Sequence, residues 1–238
     1  MLLRNSASQK IQSPQPTITP TLSEKPDPMV VAAGDIACNF TSAMQSECRQ
    51  NETAALVEDI NPDAVLALGD LQYDSGALGD FKAYYDRSWG KFKSITKPAL
   101  GNHEYQTKNA AGFFAYFDNL PKNGYYSFNL GKWHLIALNS NLVNSEQIDW
   151  LNSDLERNQS LCTLAYFHHP LFSSGMHGPN DFVKPLWEVL YKHKVDLVLN
   201  SHDHIYERFS PQNPEGQPDP KSGITQITAG TGGRNLYI

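Results

Sequence analysis

Five stretches of this chain put a carboxylate, an amide or an imidazole directly after a short apolar run. Asp35 follows VVAAG, Asp70 follows AVLALG, and Asn102, His103 and Glu104 follow KPALG. His168 and His169 follow LAYF, and His202, Asp203 and His204 follow VLNS. These are oxygen and nitrogen donors of the kind that suit borderline divalent or trivalent metals. No thiolate stands among them, which argues against a closed structural zinc site. Two ions roughly 3.5–4 Å apart, sharing an aspartate, can hold a nucleophilic hydroxide and stabilise in-line displacement at phosphorus. One Gly-Asp is an ordinary turn dipeptide, and one buried histidine is more often a hydrogen-bonded core residue than a ligand. Five such motifs in order, each closing an apolar run, form a far more specific pattern.

The elements that must position these residues follow from periodicity. Met29–Ala33, Ala64–Leu68, Leu164–Phe167, Val195–Leu199 and Ile224–Ala229 read as buried strands. Tyr125–Leu130 and Trp133–Asn139, joined across Gly131-Lys132, read as a hairpin. Helices are expected over Arg49–Ile60, Ser145–Arg157 and Asp181–Lys194, with Asn144 and Gln147 resembling a capping box. Alternating strands and helices with an antiparallel insertion predict an α/β domain, whose functional crevice lies at the carboxyl ends of its strands.

Composition sets the remaining limits. A chain of 238 residues, 40% hydrophobic, is enough for one sizeable domain and short for two. We assign residues 29–238 to that domain and the Ser/Thr/Pro-rich residues 1–28 to a flexible tail or leader remnant. A net charge of −6 argues against a surface built to grip nucleic acid, and no apolar run reaches the roughly 20 residues needed to cross a bilayer. A disulfide is expected between Cys38 and Cys48, with two free thiols as the alternative, and Cys162 reads as a small core residue. Pro211–Pro220 reads as a polar surface loop, and His134 and His193 receive no role.

The motifs GDIA (34–37), GDLQY (69–73), GNHE (101–104), FHHP (167–170) and NSHDHIYER (200–208) resemble the calcineurin-like metallophosphoesterases, in particular their purple acid phosphatase branch. The resemblance spans residues 29 to about 234. It implies a four-layer α/β/β/α sandwich, two mixed sheets flanked by helices. The wider family carries a histidine where this chain has Ala37; the purple branch instead supplies a tyrosine three residues after its second aspartate, here Tyr73. Carried over, the resemblance implies Asp35, Tyr73 and His204 around ferric iron, with Asp70 bridging. Asn102, His168 and His202 would surround a second ion, Fe(II), Zn(II) or Mn(II). His103 and His177 would face the substrate, and Glu104, His169, Asp203, Glu207 and Arg208 would orient the ligands from behind.

The implied activity is an acid phosphatase cleaving small phosphomonoesters by attack of a metal-bound hydroxide. A phosphodiesterase of the same superfamily, a truncated metal-binding domain without turnover and a redox-active iron protein are the alternatives. Together with the cysteine pair, the resemblance favours a secreted or periplasmic protein, and Asn39, Asn51 and Asn158 head glycosylation sequons. Two departures stand out. Ser201 replaces a glycine that usually precedes the first histidine of its motif, which costs about 1 kcal/mol or more if that residue needs a positive φ. The family continues with further strands past the position of Ile238, so a fragment is one reading.

Overall fold

A computed structural model describes residues 27–39 and 48–237. The tail assigned to residues 1–28 lies outside them, apart from Asp27 and Pro28. Strands β1 (Val30–Ala33), β2 (Ala64–Ala67) and β3 (Thr96–Pro98) form a parallel sheet in chain order. The second sheet has the order β4-β5-β6-β7-β9-β8. Its members are β4 (Tyr126–Leu130), β5 (Trp133–Ala137), β6 (Cys162–Tyr166), β7 (Leu197–Asn200), β8 (Tyr206–Arg208) and β9 (Thr225–Ala229). The inner four run parallel, and β4 and β8 pair antiparallel at the edges.

Connection length explains the difference between the sheets. The first sheet, expected to be mixed, is parallel across its described strands because long crossovers return the chain in the same direction. One crossover contains α1 (Gln50–Ile60); the other contains α2 (Leu78–Asp80), the π-helical turn Phe81–Tyr85 and a 3-10 stretch, Trp89–Ile95. Between β4 and β5 only Gly131-Lys132 intervenes, with Gly131 at φ 59°, and the predicted hairpin forms.

Alternation along each strand builds the layers. Val65 and Ala67 of β2 face a cluster with α1 and the aromatic α3 (Ala111–Tyr116). Leu66 and Leu68 face a middle cluster with Leu135, Ala137, Leu164, Tyr166 and Leu199 of the second sheet. Ile136, Ala165 and Val198 point the other way, onto α4 (Ser145–Arg157) and α5 (Lys184–Lys192) through Leu151, Leu155, Leu186 and Leu190. Three apolar clusters between two helical layers and two sheets make the expected α/β/β/α sandwich. Tyrosine hydroxyls close its side seam: Tyr126 Oη donates to Pro98 O at 2.9 Å and Tyr166 Oη to Lys97 O at 3.1 Å.

Half of the capping box at α4 is present. Asn144 Oδ1 accepts from Gln147 N at 3.0 Å, but the buried Gln147 amide turns inward to Asn139 and Leu142 instead of back to the cap. The expected helix 181–194 is a 3-10 turn, Asp181–Val183, followed by α5 with Pro185 in its first turn. Cys38 and Cys48 are joined as a disulfide. Cys162, expected in the core, is half-buried and free, because it opens β6 at the rim of an apolar recess rather than in a sheet interior.

Candidate metal centre

The ladder between β1 and β2 does not stop where the strands do. Asp35 N–H donates to Gly69 O, Ile36 N–H to Asp70 O and Ala37 N–H to Leu71 O, at 3.0–3.1 Å. The two aspartates therefore emerge side by side. Their backbones are left-handed, φ 57° at Asp35 and 49° at Asp70, as is His202 at 73°. Such conformations in non-glycine residues persist only where surroundings enforce them, and they cluster at functional sites. Close approach is enforced by glycine: a Cβ on Gly101 would lie 2.1 Å from Asp70 Oδ1.

Around Asp70 the donor atoms converge. Tyr73 Oη lies 2.6 Å from Asp35 Oδ1, 3.1 Å from Asp70 Oδ2 and 3.0 Å from His204 Nε2. On the other side His168 Nε2 lies 3.2 Å from Asp70 Oδ2, 3.0 Å from Asn102 Oδ1 and 3.2 Å from His202 Nδ1. Asp70 Oδ1 is committed to the backbone N–H of His103 at 2.8 Å, so Oδ2 alone stands between the two groups. All seven residues expected as ligands are thus gathered at one place. Two sets among the described residues are close enough to hold an ion: Asp35, Asp70 and His168, and His168, His169 and His202. His169, expected behind the ligands, stands within ligand range itself, with its Nδ1 2.8 Å from Ser140 Oγ.

Electrostatics match this crowding. Burial pushes Asp70 up, but the imidazoles of His168 and His103 outweigh it and hold the carboxyl below its ordinary range. Burial lowers His168, yet the charges of Asp70 and Asp35 carry it up to about 9. Burial and the neighbouring His168 depress His202 to about 4, and Tyr73 is raised by burial and by Asp35.

The supporting contacts sort the remaining candidates. Glu104 is fully buried and accepts the backbone N–H groups of Asp70 (3.0 Å), Leu71 (2.9 Å), Gln72 (3.3 Å) and Gly101 (2.8 Å), bracing two donor loops at once. Asp203 and Glu207 act elsewhere. Asp203 takes Ser173 Oγ and His177 N–H, and Glu207 takes Ser174 N–H and Oγ, so both pin the loop that carries His177. Arg208 is exposed on β8, and among the described residues no hydrogen bond or ion pair ties it to the cluster. The reason is strand alternation: Glu207 and Arg208 are neighbours and face opposite sides.

Ser201 departs from the expectation of strain, since the positive φ falls on His202 and not on Ser201. Its hydroxyl donates to Leu68 O at 2.6 Å and lies 2.9 Å from His168 Nδ1. That contact fixes the His168 ring with Nδ1 outward and Nε2 facing Asp70, and the bond from His204 Nδ1 to Asn235 O (2.7 Å) does the same for His204. His103 Nδ1 likewise bonds Asp74 O at 2.5 Å, turning Nε2 toward the cluster. Tyr237, which no sequence motif marked, stacks on His204 with centroids 4.2 Å apart and reaches His177 Nε2 at 2.9 Å. Its signal was absent because it lies 33 residues beyond His204 in an irregular segment.

Comparison with known proteins points the same way. The family model described as calcineurin-like phosphoesterase matches residues 28–206. Purple acid phosphatase 13 of Arabidopsis thaliana is 28% identical over 91% of this chain and 48% of its own length. Acid phosphatase type 7 of Danio rerio is 27% identical over 74% of this chain and 50% of its own. The chain spans about half the length of these curated relatives. Among solved structures, a purple acid phosphatase from yellow lupin (Lupinus luteus) seeds superposes with a TM-score of 0.67 at 20% identity, covering 88% of this chain and 45% of that one. GAP50, the anchor in the inner membrane complex of Plasmodium, shares the fold at a TM-score of 0.60 and 16% identity over 85% of this chain and 71% of that one. The fold alone therefore does not carry the chemistry.

Proposed function

The chain belongs to the calcineurin-like phosphoesterase family, and from that premise we propose that it is a dinuclear-metal phosphomonoesterase of the purple acid phosphatase kind. The observation that carries this reading is Tyr73, whose hydroxyl sits among Asp35, Asp70 and His204 where the wider family would place a histidine. The donor set fits two ions: oxygen and nitrogen atoms from five segments converge at 3.0–3.4 Å, and the outward ring nitrogens of His168 and His204 are held by protein oxygens. Asp35, Tyr73 and His204 would hold ferric iron. Asn102, His168 and His202 would hold Fe(II), Zn(II) or Mn(II), and Asp70 would serve both ions. When bound, the ions neutralise phosphoryl charge and draw a nucleophile from water.

The chain's own residues supply the rest. On this reading His103, whose Nδ1 is held by Asp74 O, would hand a proton from Nε2 to the leaving oxygen. His177, whose backbone N–H is held by Asp203, would bind a phosphoryl oxygen. The overall negative charge favours small soluble esters over nucleic acid. The Cys38–Cys48 bridge supports an oxidising compartment, secreted or periplasmic. No helix among the described residues is long and apolar enough to cross a membrane.

The test is the visible spectrum of iron-loaded, oxidised protein beside a paired assay of a monoester and a diester. A tyrosinate-to-ferric band lost in Tyr73→Phe, with the monoester hydrolysed faster, is the expected result. Colourless iron-loaded protein would remove Tyr73 from the ligands, and a faster diester would overturn the substrate class.

A further inference from the structure

A groove of about 540 Å³ opens beside the metal centre, walled by Gly175, Met176, Ile205, Tyr206, Glu207 and Tyr237. Its link to the candidate site is Tyr237, which lines the groove and touches two of the site histidines. Met176 precedes His177, Ile205 follows His204, and the Tyr237 hydroxyl lies 2.9 Å from His177 Nε2 and 3.5 Å from His204 Nε2. Its outer walls are large apolar side chains left in water: Met176 is 71% exposed and Tyr206 67% exposed. Apolar surface kept open beside a polar reaction centre marks a place where a ligand's apolar part belongs.

The groove is also held in shape. Glu207 accepts from the backbone and hydroxyl of Ser174, and Asp203 holds Ser173 and the N–H of His177, so the wall bearing Met176 is pinned at both ends. A pre-shaped wall loses little freedom when it is covered. Its charge is selective: Glu207 lines it, and no lysine or arginine does. A leaving group bearing a second phosphate would meet a carboxylate without a compensating cation.

We propose that this groove seats the leaving group of the ester and selects phosphomonoesters of aromatic or bulky apolar alcohols, the aryl phosphates and phosphotyrosine type, over polyphosphates and small polar alcohols. The assignment rests on the monoesterase reading above. In that reaction water adds to phosphorus, the bond from phosphorus to the aryl oxygen breaks, and that oxygen leaves with a proton as the phenol. The ring then lies between Met176 and Tyr206, while the phosphoryl group stays with His103 and His177.

Aryl oxygens leave more readily than alkyl ones, so binding must be read apart from turnover. Calorimetry on the metal-loaded protein with phenylphosphonate and methylphosphonate, neither of them hydrolysed, does this. Phenylphosphonate is expected to bind roughly tenfold tighter in the native protein. In the double variant Met176→Ser, Tyr206→Ser the gap closes to about twofold, while inorganic phosphate binds both proteins alike. Equal binding of the two phosphonates by the native protein, or a gap that survives in the double variant, overturns the groove assignment. Absence of monoester hydrolysis alongside the expected phosphonate pattern would sink the monoesterase reading and leave the groove as a subsite for aromatic phosphonyl or phosphoryl ligands.

Discussion

Two clusters in this molecule are built from the same residue types and come to opposite ends. On the second sheet, His134 bonds Asp154 Oδ2 and Asn129 Oδ1, both at 2.7 Å, and Ser127 Oγ donates to the other Asp154 oxygen at 2.7 Å. Both ring nitrogens of His134 and both oxygens of Asp154 meet complementary partners, and neither residue has a left-handed backbone. At the strand ends, by contrast, His202 Nδ1 faces His168 Nε2 at 3.2 Å and three of the donor residues have a positive φ. Histidine beside carboxylate is thus common to a structural tie and to a candidate metal centre. What separates them is the crowding of oxygen and nitrogen donors from five segments onto one spot, three of them on left-handed backbone, the arrangement expected of a candidate metal centre.

The sharpest way to break this comparison is to change one residue in each cluster. Asp70→Asn removes the charge of the one oxygen shared by both donor groups, and turnover is expected to fall on the order of 100-fold or more, with loss of one bound ion. His134→Gln is expected to leave both metal content and the rate unchanged while lowering the melting temperature. Metal analysis and a monoester assay on the two variants decide it. Equal losses in both would mean that the clusters do not differ in the way the geometry says.

A smaller effect sharpens the same contrast from behind the donors. Glu104 carries four backbone N–H bonds, and its pKa is raised to about 7 by burial and by the charge of Asp70. Glu104→Gln turns one acceptor into a donor facing N–H groups. It should weaken metal binding by about 10- to 100-fold in a direct titration. Arg208→Gln, on the exposed side of β8, should leave affinity unchanged. Loss in the second variant would restore Arg208 to the supporting role that its motif implied.

Much of this was legible because the chemistry follows the strands. A buried parallel strand must be apolar and its loop must turn at once, so VVAAGD and AVLALGD announce both the sheet and Asp35 and Asp70. The hairpin at Gly131 and the helix from Ser145 to Arg157 were readable for the same local reasons. Strand β8 was not, since Tyr206–Arg208 is a three-residue edge strand inside a motif dominated by polar side chains. Nor were the tasks of Asp203 and Glu207. Sequence places them beside His202 and His204, while the fold spends them on a loop 33 residues earlier, counted from Glu207 to Ser174. The tie between His134 and Asp154 links residues 20 apart on a strand and a helix, which no spacing rule pairs.

That tie supplies the smallest and most specific test. Burial pushes the Asp154 carboxyl up, but hydrogen bonds from His134 and Ser127, with the charges of His134 and Arg157, prevail and hold it below its ordinary range. A carboxyl whose folded pKa is depressed adds stability that is fully present above the unfolded value and is lost as pH falls through the folded one. At neutral pH, Asp154→Asn should therefore cost about 1 kcal/mol, which lowers the melting temperature by roughly 2–4 °C in a chain of this size. Once the pH has fallen through the depressed folded pKa the native residue is itself neutral, and the two melting curves should converge. A difference that persisted unchanged into acid would assign the stability to the shape of the hydrogen bonds and not to the charge. Neutral-pH turnover and metal content should not differ between the two proteins, because nothing in this cluster reaches the strand ends where the competing donors meet.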